Sequence, residues 1–423
     1  MTTRLLRRAV ITGMGVISPS GHSVAALWQA VCEGTSAVRA LDDSVFAGLP
    51  VQIGATIHGF VSDDSVPHAL ARRLSPVQLW AVAAADQAMG AARDKLPWPA
   101  HRFGILAATG SGPIDATHAA TRAFDERGPR AVPIALVMHG APDAAAAVLS
   151  QRYGAHNTAH AITATCASST LALGQALRRI RHGYADAILV VGMEDCLNPI
   201  NFAANSNLRA LAKGDRQHPD AASRPFDHDR EGFVMGQGAA ALLIEAENVA
   251  RERGQQPLAV LTGFGESSDA YHPTAPDPQG QGAALAMEQA LVDAELVPSE
   301  IDHISAHATG TPRGDEAEAQ ALRTVFGEHL SGIAITAPKS STGHLLGASG
   351  ALEAILAVQS LQTSVIPPTI NLDNNDFADL NIVTGRARTR SLRHVLSNSF
   401  GFGGHNGTVI ITAAPTAADK EHS

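Results

Sequence analysis

The stretch Ala9-Val10-Ile11-Thr12-Gly13-Met14-Gly15 returns as Ala259-Val260-Leu261-Thr262-Gly263-Phe264-Gly265, and both differences exchange one apolar residue for another. Each copy reads as a buried strand running into a glycine turn. Two unrelated strand-turn units can agree by chance. Here both copies are followed by the same mixture of strand-like and helix-like runs, which points to an internal duplication with halves beginning near residues 9 and 259. A chain of 423 residues also exceeds one ordinary hydrophobic core. No low-complexity linker divides the halves, so they are expected to pack as one body. The expected division is 1–255, 256–414 and a disordered tail over 415–423.

Composition narrows the class. Hydrophobic residues make up 45% and charged residues 17%, the balance of a soluble globular protein. A net charge of −9 argues against general nucleic-acid binding. Cys32, Cys166 and Cys196 are widely spaced with no CxxC pair, which fits a reducing compartment and neither a disulfide framework nor a cysteine zinc site. No apolar run reaches membrane-spanning length, and the first eight residues hold no signal-peptide core. A cytoplasmic protein is the expectation.

Outside the two repeats, patterning predicts helices over 24–34 (capped by Ser23), 71–92, beyond Pro142, 170–182, 282–295 and 347–361. Strands are expected over 103–108, 187–191, 239–245, 301–307, 395–398 and 408–412. The segment 198–230 reads as a long polar excursion, and 336–344 as a loop. Gly110-Ser111-Gly112 lacks the third glycine and later acid of a dinucleotide site.

The chemistry gathers at Ile162-Thr163-Ala164-Thr165-Cys166-Ala167-Ser168-Ser169-Thr170, where a β-compatible run meets a lone cysteine and then a helix. A cysteine at a helix N-terminus is expected to favour the thiolate, with backbone N–H groups free for an oxyanion. A lone cysteine can equally be a small buried hydrophobe. Three downstream segments decide between these readings: His307 to Asp315 (HATGTPRGD), Lys339 to His344 (KSSTGH) and Asn398 to Asn406 (NSFGFGGHN). His303 and His307 have metal-like spacing, but without an HExxH pattern zinc is not read there. Lysine occurs at four positions in the whole chain, so Lys339 inside such a segment stands out.

In order and spacing these segments resemble the β-ketoacyl-[acyl carrier protein] synthases of the thiolase superfamily, most nearly the elongating synthase II type and the ketosynthases of type II polyketide pathways. The resemblance runs from VITGMGVISPSG through SRPFDHDREGFVMGQGA to NSFGFGGHN. It implies an α/β thiolase-like fold of two βαβαβαββ halves stacked as a five-layer αβαβα sandwich. It implies a ping-pong condensation in which Cys166 is the nucleophile, His307 and His344 assist decarboxylation of a malonyl unit, and the N–H groups of Cys166 and Phe402 form the oxyanion hole. Lys339, Asp315, Glu318 and Glu353 match supporting charges. Phe402 matches a gate, Phe202 the acyl pocket, and Pro113 a position limiting pocket depth. No bound cofactor or metal is implied, since substrates arrive on the phosphopantetheine arm of an acyl carrier protein.

The implied partners are that carrier and a second copy, or a chain-length-factor subunit. Carrier proteins are acidic, and Arg72, Arg73, Arg130 and Arg209 are candidate docking residues. The chain departs from the family in Ala308, in Gln237 of GQGA, in Gly192-Met193-Glu194-Asp195, and in Asn205-Ser206-Asn207, where a basic residue is expected. None of these touches the catalytic set; they bear on substrate length, carrier and partner. A chain-length factor would lack the cysteine, a non-elongating transferase often lacks one histidine, and a priming synthase generally carries Asn for the second histidine.

Overall fold

The computed structural model describes residues 6–62, 66, 68–72 and 74–415. Arg73 and the tail from residue 416 lie outside the described residues. The first half supplies β1 (Ala9–Ile17), β2 (Phe103–Ala108), β3 (Ala159–Ile162), β4 (Ala187–Asp195) and β5 (Gln237–Ala246). The second supplies β6 (Ala259–Ser268), β7 (His303–Ser305), β8 (Ala334–Thr336), β9 (His394–Gly401) and β10 (His405–Ala413). Along the ladder they run β3-β2-β4-β5-β1-β6-β10-β9-β7-β8. Each strand on one side of the β1–β6 junction thus has its counterpart, five numbers on, at the same place on the other side.

Pair directions agree as well. β1–β5 and β4–β5 are antiparallel while β2–β4 and β2–β3 are parallel. β6–β10 and β9–β10 are antiparallel while β7–β9 and β7–β8 are parallel. The halves join where Ala9, Val10 and Ile11 pair with Leu261, Val260 and Ala259.

Six helices build the layers: α1 (Pro76–Met89), α2 (Ala144–Tyr153), α3 (Ser168–Arg181), α4 (Gln281–Ala294), α5 (Pro312–Phe326) and α6 (Ser349–Thr363). α3 and α6 each touch strands of both halves, so they form the central layer. Leu173, Leu177 and Ile180 of α3 and Leu352 and Ile355 of α6 share one core with Val190, Leu242, Val395 and Ile411. α1 and α2 cover the outer face of the first sheet, and α4 and α5 that of the second. This is the five-layer arrangement expected.

The repeated heptapeptide has a physical reason. The register of β1 slips between Ile11 and Gly13, and that of β6 between Leu261 and Gly263, so Thr12 and Thr262 occupy equivalent bulges. A Cβ on Gly13 or Gly15 would fall 1.9 or 2.0 Å from carbonyl oxygens of α1. On Gly263 or Gly265 it would fall 2.4 or 1.9 Å from carbonyl oxygens of α4. Only glycine lets each outer helix lie so close to the sheet. Gly265→Ala is therefore expected to cost about 3 kcal/mol, read as a lower urea midpoint, because the obstruction is backbone and cannot rotate away.

Local boundaries differ from the sequence reading, as four examples show. The helix expected over 71–92 divides, because Pro76 cannot continue a helix from the preceding turn; His68–Ala71 is separate, and α1 starts anew after Ser75. The excursion 198–230 contains a helix, Pro199–Asn207, capped by Asn198, whose side chain accepts from Asn201 N at 3.0 Å. The strand expected over 301–307 shortens to His303–Ser305, and the 336–344 loop contains a single helical turn, Lys339–Thr342.

Both central helices are entered through a short 3-10 turn, Thr165–Ala167 before α3 and Leu346–Ala348 before α6. Each turn opens on a left-handed residue, Thr165 at φ 48° and Leu346 at φ 43°. Cys166 and Gly347 occupy equivalent second positions.

Candidate active site

Cys166 is set in place by its neighbours on both sides. Ser168 Oγ accepts from Ala164 N at 2.9 Å and lies 2.6 Å from Thr165 O. Thr165 Oγ1 donates to Phe402 O at 2.9 Å, tying the left-handed turn to the loop between β9 and β10. A Cβ on Gly401 would meet Thr165 Oγ1 at 2.1 Å and Cys166 N at 3.0 Å, so the loop can approach the nucleophile only through glycine.

Cys166 as a whole residue is 6% exposed. Burial pushes its pKa up to about 12, against the opposing pull of the Lys339 charge and of the N–H groups of Phe402 and Cys166. The resting group is therefore a thiol. The thiolate expected from a helix N-terminus is outweighed by the dryness of the site. The same two N–H groups that reach the sulfur are those expected of an oxyanion hole.

His344 Nε2 lies 3.0 Å from Cys166 Sγ, so the proton has an acceptor. His344 N donates to Val234 O at 2.8 Å, and Nδ1 lies 3.0 Å from Ser349 Oγ. The ring stands edge-on to Phe233 and to His307, each at 5.4 Å between centroids. Sγ of Cys166 and one nitrogen from each imidazole lie within 4.8 Å of one another. Burial and the Lys339 charge hold both imidazoles well below their ordinary pKa, and for His307 the neighbouring His344 adds to this. Both are neutral at pH 7, and each can still donate one ring N–H to a developing enolate.

The supporting charges sit behind these rings. Glu318 accepts from His307 N at 2.8 Å, Ala308 N at 2.7 Å and Asn398 Nδ2 at 3.2 Å. Asp315 accepts from Gly310 N at 3.1 Å and Phe226 N at 2.8 Å, and burial pushes its carboxyl up to about 7. Both acids thus grip the backbone of the histidine loop. Lys339 Nζ pairs with Glu353 Oε1 at 2.5 Å, both side chains being at most 2% exposed.

A cavity of about 80 Å³ opens beside Cys166, His307 and His344, bounded by Phe233, Phe400 and Phe402. At about 10–15 Å³ of centre-accessible space per water it has room for several waters, and a wall that moves would enlarge it. Phe402 is the wall with freedom to do so, since Gly401 and Gly403 flank it. Phe202 is fully buried in one apolar cluster with Cys166, Cys196, Phe46 and Phe402. Pro113 lines a different hollow, with Thr109, Met193 and Asp195.

At the mouth stand Arg209, Arg313, Thr311 and Phe402. Arg209 follows Asn205-Ser206-Asn207 closely, so a cation remains at the rim despite that departure. Arg72 and Arg130 are exposed and line neither the cavity nor its mouth, and Arg73 lies outside the described residues.

Sequence reasoning gave no site role to Arg313, Glu194 or Ser349. Glu194 is 1% exposed and accepts from Gly110 N (2.6 Å), Thr109 Oγ1 (3.0 Å), Ser111 N (3.2 Å) and Gly347 N (3.0 Å). Its one signal in the sequence is an acid closing an otherwise apolar strand.

A buried thiol facing two neutral imidazoles and two backbone N–H groups, held between duplicated strand-helix halves, defines an acyl-transferring enzyme of the thiolase type. Comparison with known proteins makes the assignment specific. Residues 6–250 match the beta-ketoacyl synthase N-terminal domain and residues 258–373 its C-terminal domain. A 3-oxoacyl-[acyl-carrier-protein] synthase 2 of Coxiella burnetii is 36% identical, covering 96% of this chain and 98% of its own. A type II polyketide ketosynthase solved in complex with its acyl-carrier protein superposes with TM-score 0.88 at 28% identity, covering 97% of this chain and 100% of its own. The ishigamide ketosynthase/chain length factor gives TM-score 0.88 at 30% identity over the same shares. The chain belongs to the β-ketoacyl synthase family.

Proposed function

We propose that Cys166 carries the growing acyl chain and that His307 and His344 drive the decarboxylative step that extends it. The protein is a β-ketoacyl-[acyl carrier protein] synthase, an acyltransferase of chain elongation. In the first half-reaction Cys166 Sγ attacks a carrier-bound acyl thioester and its proton passes to His344 Nε2. The tetrahedral oxyanion rests on the N–H groups of Cys166 and Phe402, and the departing phosphopantetheine sulfur takes the proton back. In the second, malonyl-carrier protein loses carbon dioxide while imidazole N–H groups hold the charge on its thioester oxygen. The enolate then attacks the acyl-cysteine, giving a β-ketoacyl-carrier protein and a Cys166 thiolate that takes a proton from solvent to restore the thiol. The observation that carries this reading is the convergence of Sγ and the two imidazoles in a dry cavity.

Arg209 and Arg313 at the mouth suit an acidic carrier, and a type II polyketide relative is solved with its own carrier bound. The halves 1–255 and 256–414 act as the duplicated units. Exposed Ile134 and Val137 support pairing with a second copy, and a heterodimer with a chain-length factor is the alternative that the ishigamide relative offers. Among the described residues no helix is long and apolar enough to cross a membrane, and Cys32, Cys166 and Cys196 are free, which supports a cytoplasmic location.

The test uses acyl- and malonyl-loaded carrier proteins with mass detection. The wild type should show an acyl adduct on Cys166 and a product two carbons longer. His307→Ala should keep the adduct and lose extension by about 10²-fold or more, since it removes a donor to the enolate but no partner of the sulfur. Absence of any adduct on the wild type overturns the reading.

A further inference from the structure

Ser349 opens α6 at the position that Ser168 holds in α3. The Ser168 hydroxyl is engaged with backbone, whereas the Ser349 hydroxyl, on a residue 3% exposed, lies 3.0 Å from His344 Nδ1. The opposite nitrogen, Nε2, lies 3.0 Å from Cys166 Sγ. His344 is thus bridged between a hydroxyl and the nucleophile, and as a neutral ring it has one proton for two nitrogens.

The two half-reactions need that proton in different places. During acyl transfer Nε2 must offer a lone pair to the thiol, so the ring proton sits on Nδ1 and needs an acceptor there. During decarboxylation Nε2 must donate to the thioester oxygen, so Nδ1 carries the lone pair and needs a donor. A backbone carbonyl at Nδ1 would satisfy only the first state, and a backbone N–H only the second. A hydroxyl satisfies both by turning about its Cβ–Oγ bond.

We propose that Ser349 is a positioning residue that holds His344 in either tautomer, so that one imidazole serves both half-reactions. This rests on the reading of Cys166 and His344 given above. The ring itself gains or loses no net proton over the cycle; the one proton that the overall condensation consumes comes from solvent and restores the Cys166 thiol. The imidazolium formed when Sγ is deprotonated returns its Nε2 proton to the leaving pantetheine sulfur, and the remaining ring proton re-equilibrates through water while the site is open between substrates. His344 contacts Phe233 and His307 on its other sides, and neither contact is a hydrogen bond to Nδ1.

The experiment compares wild type, Ser349→Ala and Ser349→Thr as full-length protein. Cys166 acylation is timed in a single turnover, extension is timed from pre-acylated enzyme, and ¹⁵N-histidine spectra report the His344 tautomer. Ser349→Ala should slow both half-reactions about tenfold, shift the His344 nitrogens and leave the unfolding midpoint in place. Ser349→Thr, which keeps the hydroxyl, should retain both rates and the wild-type nitrogen shifts. If wild type reacts and Ser349→Ala matches it, or loses only one half-reaction, this inference falls while the active-site reading stands. If wild type forms no adduct, both fall.

Discussion

Cys166→Ala will bind acyl-carrier protein yet show no acyl adduct, and elongation will fall by about 10⁴-fold or more. The magnitude follows from removing a nucleophile whose partners remain: His344 Nε2 loses the atom 3.0 Å away, and the N–H groups of Cys166 and Phe402 are left with no intermediate to stabilise. Stability should change little, since alanine fits a buried apolar cluster that already holds Phe202 and Phe402. Intact-mass spectra of wild type and variant after incubation with one acyl donor read the result. An adduct on the variant would place the acyl group elsewhere and remove Cys166 from its role.

Lys339→Met will destabilise the protein by about 1 kcal/mol more at pH 8 than at pH 5, because it leaves the Glu353 carboxyl buried without its cation. The sign of its pH dependence follows from Glu353. Burial already raises that carboxyl from 4.5 to about 7, with Lys339 pulling the other way. A group whose folded pKa is raised gives stability that is present below its unfolded pKa and lost as pH rises through the folded one. Without Lys339 the folded value rises further, so the deficit should be small near pH 4.5 and grow through neutrality. Denaturant midpoints of both proteins at pH 5 and pH 8 check this, and equal deficits would contradict it.

The double variant Lys339→Met/Glu353→Gln separates the two contributions of the lysine. It should recover most of the stability, since no bare charge remains. It should not recover activity, because the Lys339 charge also lowers the pKa of Cys166 and adds to the burial that holds both imidazoles neutral.

Much of this was legible in the chain. AVITGMG and AVLTGFG announced the duplication because the same bulge and the same helix-on-strand approach constrain both copies. The histidine and glycine segments were legible because their residue types serve poorly as ordinary core. Partners contributed from a distance were not. The contact between Ser349 and His344 depends on the entry to α6. The four hydrogen bonds to Glu194 join segments as far apart as Thr109 and Gly347. The protonation state of Cys166 was misjudged because a helix terminus is visible in sequence and the exclusion of water from it is not.

The twin entries to the central helices carry a consequence for how one scaffold came to hold one reaction centre. Each entry turns a backbone N–H inward at its second position. In the first half that position is Cys166, and its N–H faces the reacting sulfur. In the second it is Gly347, and its N–H is taken by the Glu194 carboxylate. The copied half therefore retains an anion receptor but keeps it permanently occupied by a resident side chain reaching over from its sibling. Symmetry survives in the backbone while reactivity is confined to one side, and the occupied receptor works as an internal clasp between the halves.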